Sequence, residues 1–298
     1  MRAKDEFSTF HPVVNFVYFA LVIGFSMFFM HPVCLTVSLV SSIAYAVNLS
    51  GKKAVKFSLL YMLPMLILTV SVNPAFNHEG ATILAYLPSG NPLTLESIIY
   101  GLCAGALLIS VIMWFRCYTE VMTSDKFIYL FGRIIPSLSL ILSMTLRFVP
   151  KFAARIRSVS EAQRLIGRDV TNGSIFSRAK NAVRILSVML TWSLESAVET
   201  ADSMKSRGYG LKGRTAFSIY RFDGRDKSAV LWLAFCGAFV LCGAVSGGFY
   251  YPCFPTVKSG AYAPLSVSFF VIYAAMCMTP VIINLWEGRK WKRLKSAI

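Results

Sequence analysis

Acidic side chains are scarce in this sequence. Asp and Glu together number 14 against 30 Lys and Arg, and histidine occurs three times in 298 residues. Charged residues of all types make up 15% of the chain, against about 25% in an average soluble protein. Charge is missing altogether from residues 13–30, 33–49, 57–72, 97–115, 229–257 and 259–286. Runs of this length match the ~20 apolar residues that cross a ~30 Å hydrocarbon layer. A net charge of +16 would by itself admit nucleic acid as a partner. Its exclusion from these runs points instead to a bilayer.

Other absences narrow the chemistry. The seven cysteines form no CxxC pair. Cys34, Cys103, Cys236, Cys242 and Cys277 fall in apolar runs, where cysteine acts as a small hydrophobe, and Cys117 and Cys253 stand alone near run ends. His11, His31 and His78 are scattered, and two of them precede proline, which suits turns; no metal site emerges. Phosphate-loop, GxSxG and HExxH patterns are all missing. Gly210-Leu211-Lys212-Gly213-Arg214-Thr215 has the wrong spacing to cradle a phosphate. Glu195 and Glu199 lie one turn apart without a His or Cys beside them, so they read as a polar helix face and not as an acid–base pair. The chain is expected not to be an enzyme.

What is present is a six-span pattern, at about 13–30, 33–49, 54–72, 97–115, 229–250 and 264–286. The first run exceeds a signal-peptide core and lacks a small-x-small cleavage site, so it is expected to be a retained span. Met30-His31-Pro32, Asn73-Pro74, Pro88-Ser89-Gly90-Asn91-Pro92 and Tyr251-Pro252-Cys253-Phe254-Pro255 are turn signals between spans. Lys and Arg gather on alternate sides. Arg2 and Lys4 precede the first span, Lys52, Lys53 and Lys56 follow the second, and five cations follow Trp286. None lies in 73–96, and only Lys258 lies in 251–263. Positive loops stay cytoplasmic, which predicts cytoplasmic termini and a cytoplasmic block at 116–228. The expected organisation is all-α and polytopic: about four membrane helices in 1–115, a coupling-helix block in 116–228 that is partly embedded near 127–149, and two membrane helices plus a basic tail in 229–298.

The central block carries two amphipathic patterns. After Pro150, which suits a helix start, Phe148, Phe152, Ile156, Val159, Ala162 and Ile166 recur at helical spacing until Gly167. The second runs from about Ala182 to Arg207, ~39 Å at 1.5 Å per residue. Val183, Leu186, Leu190, Leu194, Ala197, Ala201 and Met204 form its stripe, and Gly208 is the expected left-handed stop. Ser187, Ser193, Ser196 and Thr200 add small side chains that permit close helix approach. Packing of the pair is therefore expected through Phe152, Ile156, Val159, Leu186, Leu190, Leu194, Ala197, Ala201 and Met204. Each helix ends in a basic tip. A cation at a helix C-terminus offsets the macrodipole by ~0.3–1 kcal/mol, and a polybasic surface attracts anionic headgroups. A guanidinium also makes forked, oriented contacts that lysine cannot reproduce, which suits docking into a partner's acidic or carbonyl-lined groove.

Ser203-Met204-Lys205-Ser206-Arg207-Gly208-Tyr209, followed by Arg214-Thr215, resembles the second signature of the transmembrane T component of energy-coupling factor (ECF) transporters, the EcfT/CbiQ family. In that family a small-Arg-small triplet ends each of two long coupling helices, and Ser206-Arg207-Gly208 matches it. Ala162-Gln163, Gly167 and Asp169 align with the first signature, but Ile166 stands where arginine is expected. Arg164 and Arg168 flank it as alternative docking cations. The resemblance implies a module in which two cytoplasmic ATP-binding subunits hydrolyse ATP. The T component transmits their motion, and a small membrane S component binds a vitamin or transition-metal ion. ATP and Mg would be held by the partners, with no cofactor in this chain. It further implies ATPase docking by Ser206, Arg207, Gly208, Arg164, Gly167 and Arg168, in a prokaryotic inner membrane. The alternative from the residues alone is a self-sufficient secondary transporter or channel for a neutral solute, because ionisable residues that would mark an ion pathway are essentially missing from the spans. A membrane scaffold would share these features without ATP-coupled motion.

Overall fold

In hydrocarbon, every backbone N–H and C=O must find its partner within the protein, and an apolar segment does so most simply as a helix. The computed structural model describes residues 5–86, 92–132, 135–168, 170–211, 220–249, 251 and 264–296. The turn at 88–91, Arg133, Asp169, the segment 212–219 (with Arg214 and Thr215) and the link at 252–263 lie outside them.

The chain divides into two compact units, Met1–Phe127 with Tyr220–Ile298, and Ile128–Ile219. In the first, α1 (Pro12–Phe28) and α2 (Pro32–Ser50) precede α3 (Lys52–Phe76), which contains a π turn at Ser58–Met62. Two short antiparallel strands follow, β1 (Ile83–Tyr86) and β2 (Pro92–Thr94), and then α4 (Leu95–Val121). The unit closes with α8 (Gly224–Val245) and α9 (Pro264–Ser296). Among the described residues, five helices are long and apolar enough to cross a membrane: α2, α3, α4, α8 and Leu265–Lys290 within α9. Apolar α1 is shorter, at 17 residues, or ~26 Å. The protein is an all-α polytopic membrane protein. The two strands were not anticipated in the turn-rich 73–96 loop.

Helices α1, α2, α4, α8 and α9 pack around Trp114, Tyr18, Tyr45 and Tyr273, all fully buried. A chain of buried polar side chains pairs among these helices, as a low-dielectric interior favours. Trp114 Nε1 donates to Ser38 Oγ at 2.9 Å, Ser38 Oγ lies 2.7 Å from Ser26 Oγ, and Ser26 Oγ lies 3.2 Å from Tyr273 OH. The N-terminal segment is fastened to α9: Glu6 N and Phe7 N both donate to Asn284 Oδ1, at 2.9 and 3.2 Å. Helix α3 rests mainly on α4, and its Ala54 and Met62 reach the same core. Gly101 and Gly105 of α4 form a GxxxG step that brings α3 close. A side chain at Gly105 would meet Thr69 Oγ1 at 2.9 Å and one at Gly101 would meet Asn73 Cβ at 3.1 Å, the close approach that small residues allow between membrane helices. Thr69 Oγ1 bonds back to Met65 O at 2.6 Å, so its hydroxyl is satisfied at this contact.

In the second unit the described helices are α6 (Pro136–Leu165) and α7 (Ile175–Ser206); α5 (Ser124–Gly132) spans the division between units. Neither α6 nor α7 is among the helices apolar enough to span. Two boundaries differ from the sequence reading. Pro150 does not start a helix but lies inside α6, because the apolar run from Pro136 already supplies helical turns and Pro136 takes the first-turn position. Likewise α7 begins at Ile175 and not near Ala182, since Ser174 ends the loop and nothing between them breaks the helix.

His11 and His31 carry a role that their place before proline only hinted at. Each is the N-cap of the following helix: His11 Nδ1 accepts from Val13 N at 3.3 Å and His31 Nδ1 from Val33 N at 3.2 Å. Capping of this kind needs an unprotonated Nδ1. Burial holds both imidazoles below their ordinary pKa of 6.5, with Asp226 pulling His11 partly back. Their stabilisation is therefore complete above pH 6.5 and is lost as pH falls through the lower folded-state values. Thermal unfolding in detergent should show a lower Tm at pH 5 than at pH 7.5. Replacing both by asparagine, a cap that does not titrate, should flatten that dependence, whereas His31→Ala should cost about 1 kcal/mol at pH 7.5.

Candidate functional site: two matched helix tips

The second unit is built on two long helices that pass one another. Trp192 of α7 sits edge-on to Phe152 of α6, with centroids 5.6 Å apart and planes at 85°, and the Arg155 guanidinium lies 5.4 Å from the Trp192 ring centre. Further along, Ile156 and Ser160 share a groove of about 280 Å3 with Val170, Ala182, Ile185, Leu186 and Met189. As the α6 numbers rise, the α7 numbers fall, so the helices run antiparallel. The C-terminus of each lies ~20 Å from the Phe152–Trp192 crossing, at opposite ends of the pair.

The face of α7 turned inward is not the predicted one. Ile185 and Met189 are buried, and Trp192, Ser193, Ser196, Thr200 and Met204 are half-buried. The predicted packing residues Leu186, Leu190 and Leu194 are 62–67% exposed, and Ala197 and Ala201 are exposed too. The stripe is rotated by one residue, ~100°. The reason is steric: serine and threonine let α6 approach where leucines would hold it off, and Thr200 Oγ1 satisfies itself on Ser196 O at 2.6 Å. On α6, Phe152 and Val159 turn inward as expected, and Ile156 is 46% exposed along the open groove. Among the predicted packing residues, only Phe152, Val159 and Met204 are half-buried. Trp192 lies off the leucine stripe, so hydropathy spacing does not point to it; its aromatic bulk next to two small-residue positions is the available signal.

The helix ends are alike in backbone. Helix α6 closes with Gly167 at φ +79°; Gly167 N donates to Arg164 O at 3.0 Å, and Arg168 N to Gln163 O at 2.9 Å. Helix α7 closes with Gly208 at φ +75°; Gly208 N donates to Lys205 O at 2.9 Å, and Tyr209 N to Met204 O at 3.0 Å. Both are Schellman closures, which satisfy terminal carbonyls through a left-handed residue that glycine adopts without a Cβ penalty. The match sets a residue-by-residue equivalence. Gln163 stands for Met204, Arg164 for Lys205, Leu165 for Ser206, Ile166 for Arg207, Gly167 for Gly208 and Arg168 for Tyr209. Ile166 and Arg207 are the last residues before the glycine at their tips. Around the first tip Leu165 is 89% and Ile166 61% exposed, and Arg164, Arg168 and Arg207 are exposed as well. Arg178 Nε donates to Val170 O at 2.8 Å, tying the loop after the first tip to the start of α7. Among the described residues no cluster of His, Cys, Asp and Glu is arranged to hold a metal ion. Chemically the tips offer shaped, exposed contacts to another macromolecule.

A long apolar chain that carries two such helices is a multi-pass membrane protein with exposed, closed helix ends. The chain belongs to the CbiQ family, described as cobalt transport protein, which it matches over residues 7–217. It is 36% identical over 110 residues to the energy-coupling factor transporter transmembrane protein EcfT of Lacticaseibacillus paracasei, a match covering 37% of this chain and 40% of that one. Lactobacillus helveticus EcfT is 34% identical over 93 residues, 31% and 34% of the two chains. Bacillus subtilis EcfT is 33% identical over 97 residues, 32% and 37%. These matches span well under half the length of each relative.

Replacing Trp192 by alanine removes both the edge contact to Phe152 and the Arg155 contact. Hydrogen–deuterium exchange should then rise by about tenfold or more in 150–165 and 185–200, corresponding to a loss of at least ~1.4 kcal/mol. Exchange in α1 and α2 should stay unchanged.

Proposed function

We propose that this chain is the T component of an ECF-type importer. In this reading it transmits the ATP-driven motion of two cytoplasmic ATP-binding subunits to a small membrane S component, which takes up a vitamin or transition-metal ion. The observation that carries the reading is the pair of long helices in one multi-pass chain, closed by the same glycine geometry at opposite ends of a crossed pair. A lever needs rigid arms and defined ends. A helix of 32 residues is ~48 Å of stiff arm, and a Schellman closure gives each arm a fixed end.

The family assignment and the EcfT relatives support the same function. The proposed placement is a prokaryotic inner membrane with both termini cytoplasmic, following the distribution of Lys and Arg. Arg207 docks into a carbonyl- or carboxylate-lined groove of one ATP-binding subunit, flanked by Ser206 and Gly208; the tip at Arg164–Arg168 docks into the other. ATP and Mg belong to those subunits. The outward apolar face of α7, with Leu186, Leu190, Leu194 and Val198 exposed in one row, is a surface that a soluble protein would cover, and it suits a membrane-embedded partner.

Arg207→Glu reverses charge at the proposed contact while leaving the Gly208 closure intact. The variant should insert and fold normally but lose the ATP-binding subunits on affinity purification, with a docking penalty of about 3 kcal/mol or more. Unchanged recovery of those subunits, together with unchanged uptake, would refute the docking role.

A further inference from the structure

The two tips share a shape and differ in chemistry. Their closures match bond for bond: the residue after the glycine returns to the third carbonyl from the helix end, and the glycine to the second. Both tips carry a cation at the position whose carbonyl the glycine N–H bonds, Arg164 in one and Lys205 in the other. That placement serves the negative end of the helix dipole and is common to both. The difference lies at the end position, Ile166 against Arg207, and at the residue before it, Leu165 against Ser206. Arg164 does not substitute for the missing arginine, because it lies two residues back, ~200° around the helix, where the second tip has Lys205. Nor does Arg168, which lies beyond the glycine and takes the place of Tyr209. What the first tip presents where the second presents a guanidinium is a pair of branched aliphatic side chains, both well exposed.

Resting on the function proposed above, we infer that the first tip docks by inserting Ile166, with Leu165 beside it, into an apolar socket on its ATP-binding partner. The guanidinium of Arg207 enters a polar groove on the other. An aliphatic pair held out on a rigid closure gains by leaving water, and a socket lined with carboxylates would offer it nothing. Two ends of one shape and opposite chemistry call for two receiving grooves that differ in what lines them. Arg164 and Arg168 then sit at the socket's rim, where charges steer approach more than they hold the contact.

A photo-reactive benzoylphenylalanine placed at 166 in the full chain, in cells that make the complete transporter, tests this directly. The same group at Tyr209 serves as reference. Adducts from both positions should be peptides of ATP-binding subunits, the one from 166 coming from a segment without Asp or Glu. If 209 labels such a subunit while 166 labels lipid, another membrane protein or an acidic segment, the apolar socket is wrong and the proposed function stands. If neither labels an ATP-binding subunit, the proposed function itself fails. Substitutions give a second reading through recovery of the partner subunits. Ile166→Leu should bind within about threefold of the native chain and Ile166→Ala about tenfold more weakly. Ile166→Arg should lose about a hundredfold by placing a charge in an apolar site; native-level or tighter binding by that variant would overturn the inference.

Discussion

Hydrocarbon offers no hydrogen bonds, and most of this structure follows from that. Where the chain crosses the membrane its backbone must bond to itself, so α2, α3, α4, α8 and α9 stay helical for 19 residues or more, α3 through its π turn. Side-chain polar groups inside the bundle must pair as well, which is why Trp114, Ser38, Ser26 and Tyr273 are linked in one chain of hydrogen bonds. The same constraint drives charge away from the spans. Of the 30 Lys and Arg, fourteen fall within the unit Ile128–Ile219. Irregular backbone is likewise placed at helix ends, where glycine closures and histidine caps satisfy what the helix leaves open.

Helix existence was legible in the sequence because its signal is redundant: a charge-free run of eighteen residues admits few other structures. Packing was less legible because it depends on one residue's rotation. The leucines of α7 make the more conspicuous stripe, yet the inward face is Ile185, Met189, Trp192, Ser196 and Thr200. Hydropathy ranks leucine above serine, whereas a helix crossing rewards the residue that lets two backbones approach. The GxxxG step at Gly101 and Gly105 follows the same logic, and hydropathy does not single it out for the same reason. Pro150 is a different case: a proline within an amphipathic pattern suits a helix start, yet here the preceding residues are already helical and carry it inside α6.

The tips show where sequence comparison needs geometry. The sequence alone left Arg164 and Arg168 as equal candidates to replace an arginine at Ile166. Backbone closure removes that ambiguity, because the hydrogen bonds to Gln163 O and Arg164 O number the positions from the helix end. Once numbered, neither arginine occupies the place of Arg207.

Rigidity and asymmetry have complementary consequences for a chain proposed to carry motion. Force applied at a tip reaches the Trp192 crossing only if the last turn does not fray, and the left-handed glycines at 167 and 208 prevent that by capturing terminal carbonyls. Neither glycine touches the crossing, so tip closure and helix packing are independent properties. Tip chemistry can therefore change, as from arginine to isoleucine, without disturbing the arm behind it. An arm whose end is exchangeable in this way lets the identity of the docking partner vary while the lever stays the same. The outward leucine face of α7, with Leu186, Leu190 and Leu194 exposed, is left out of the arm-to-arm contact, while the small residues on the inward face let the arms approach.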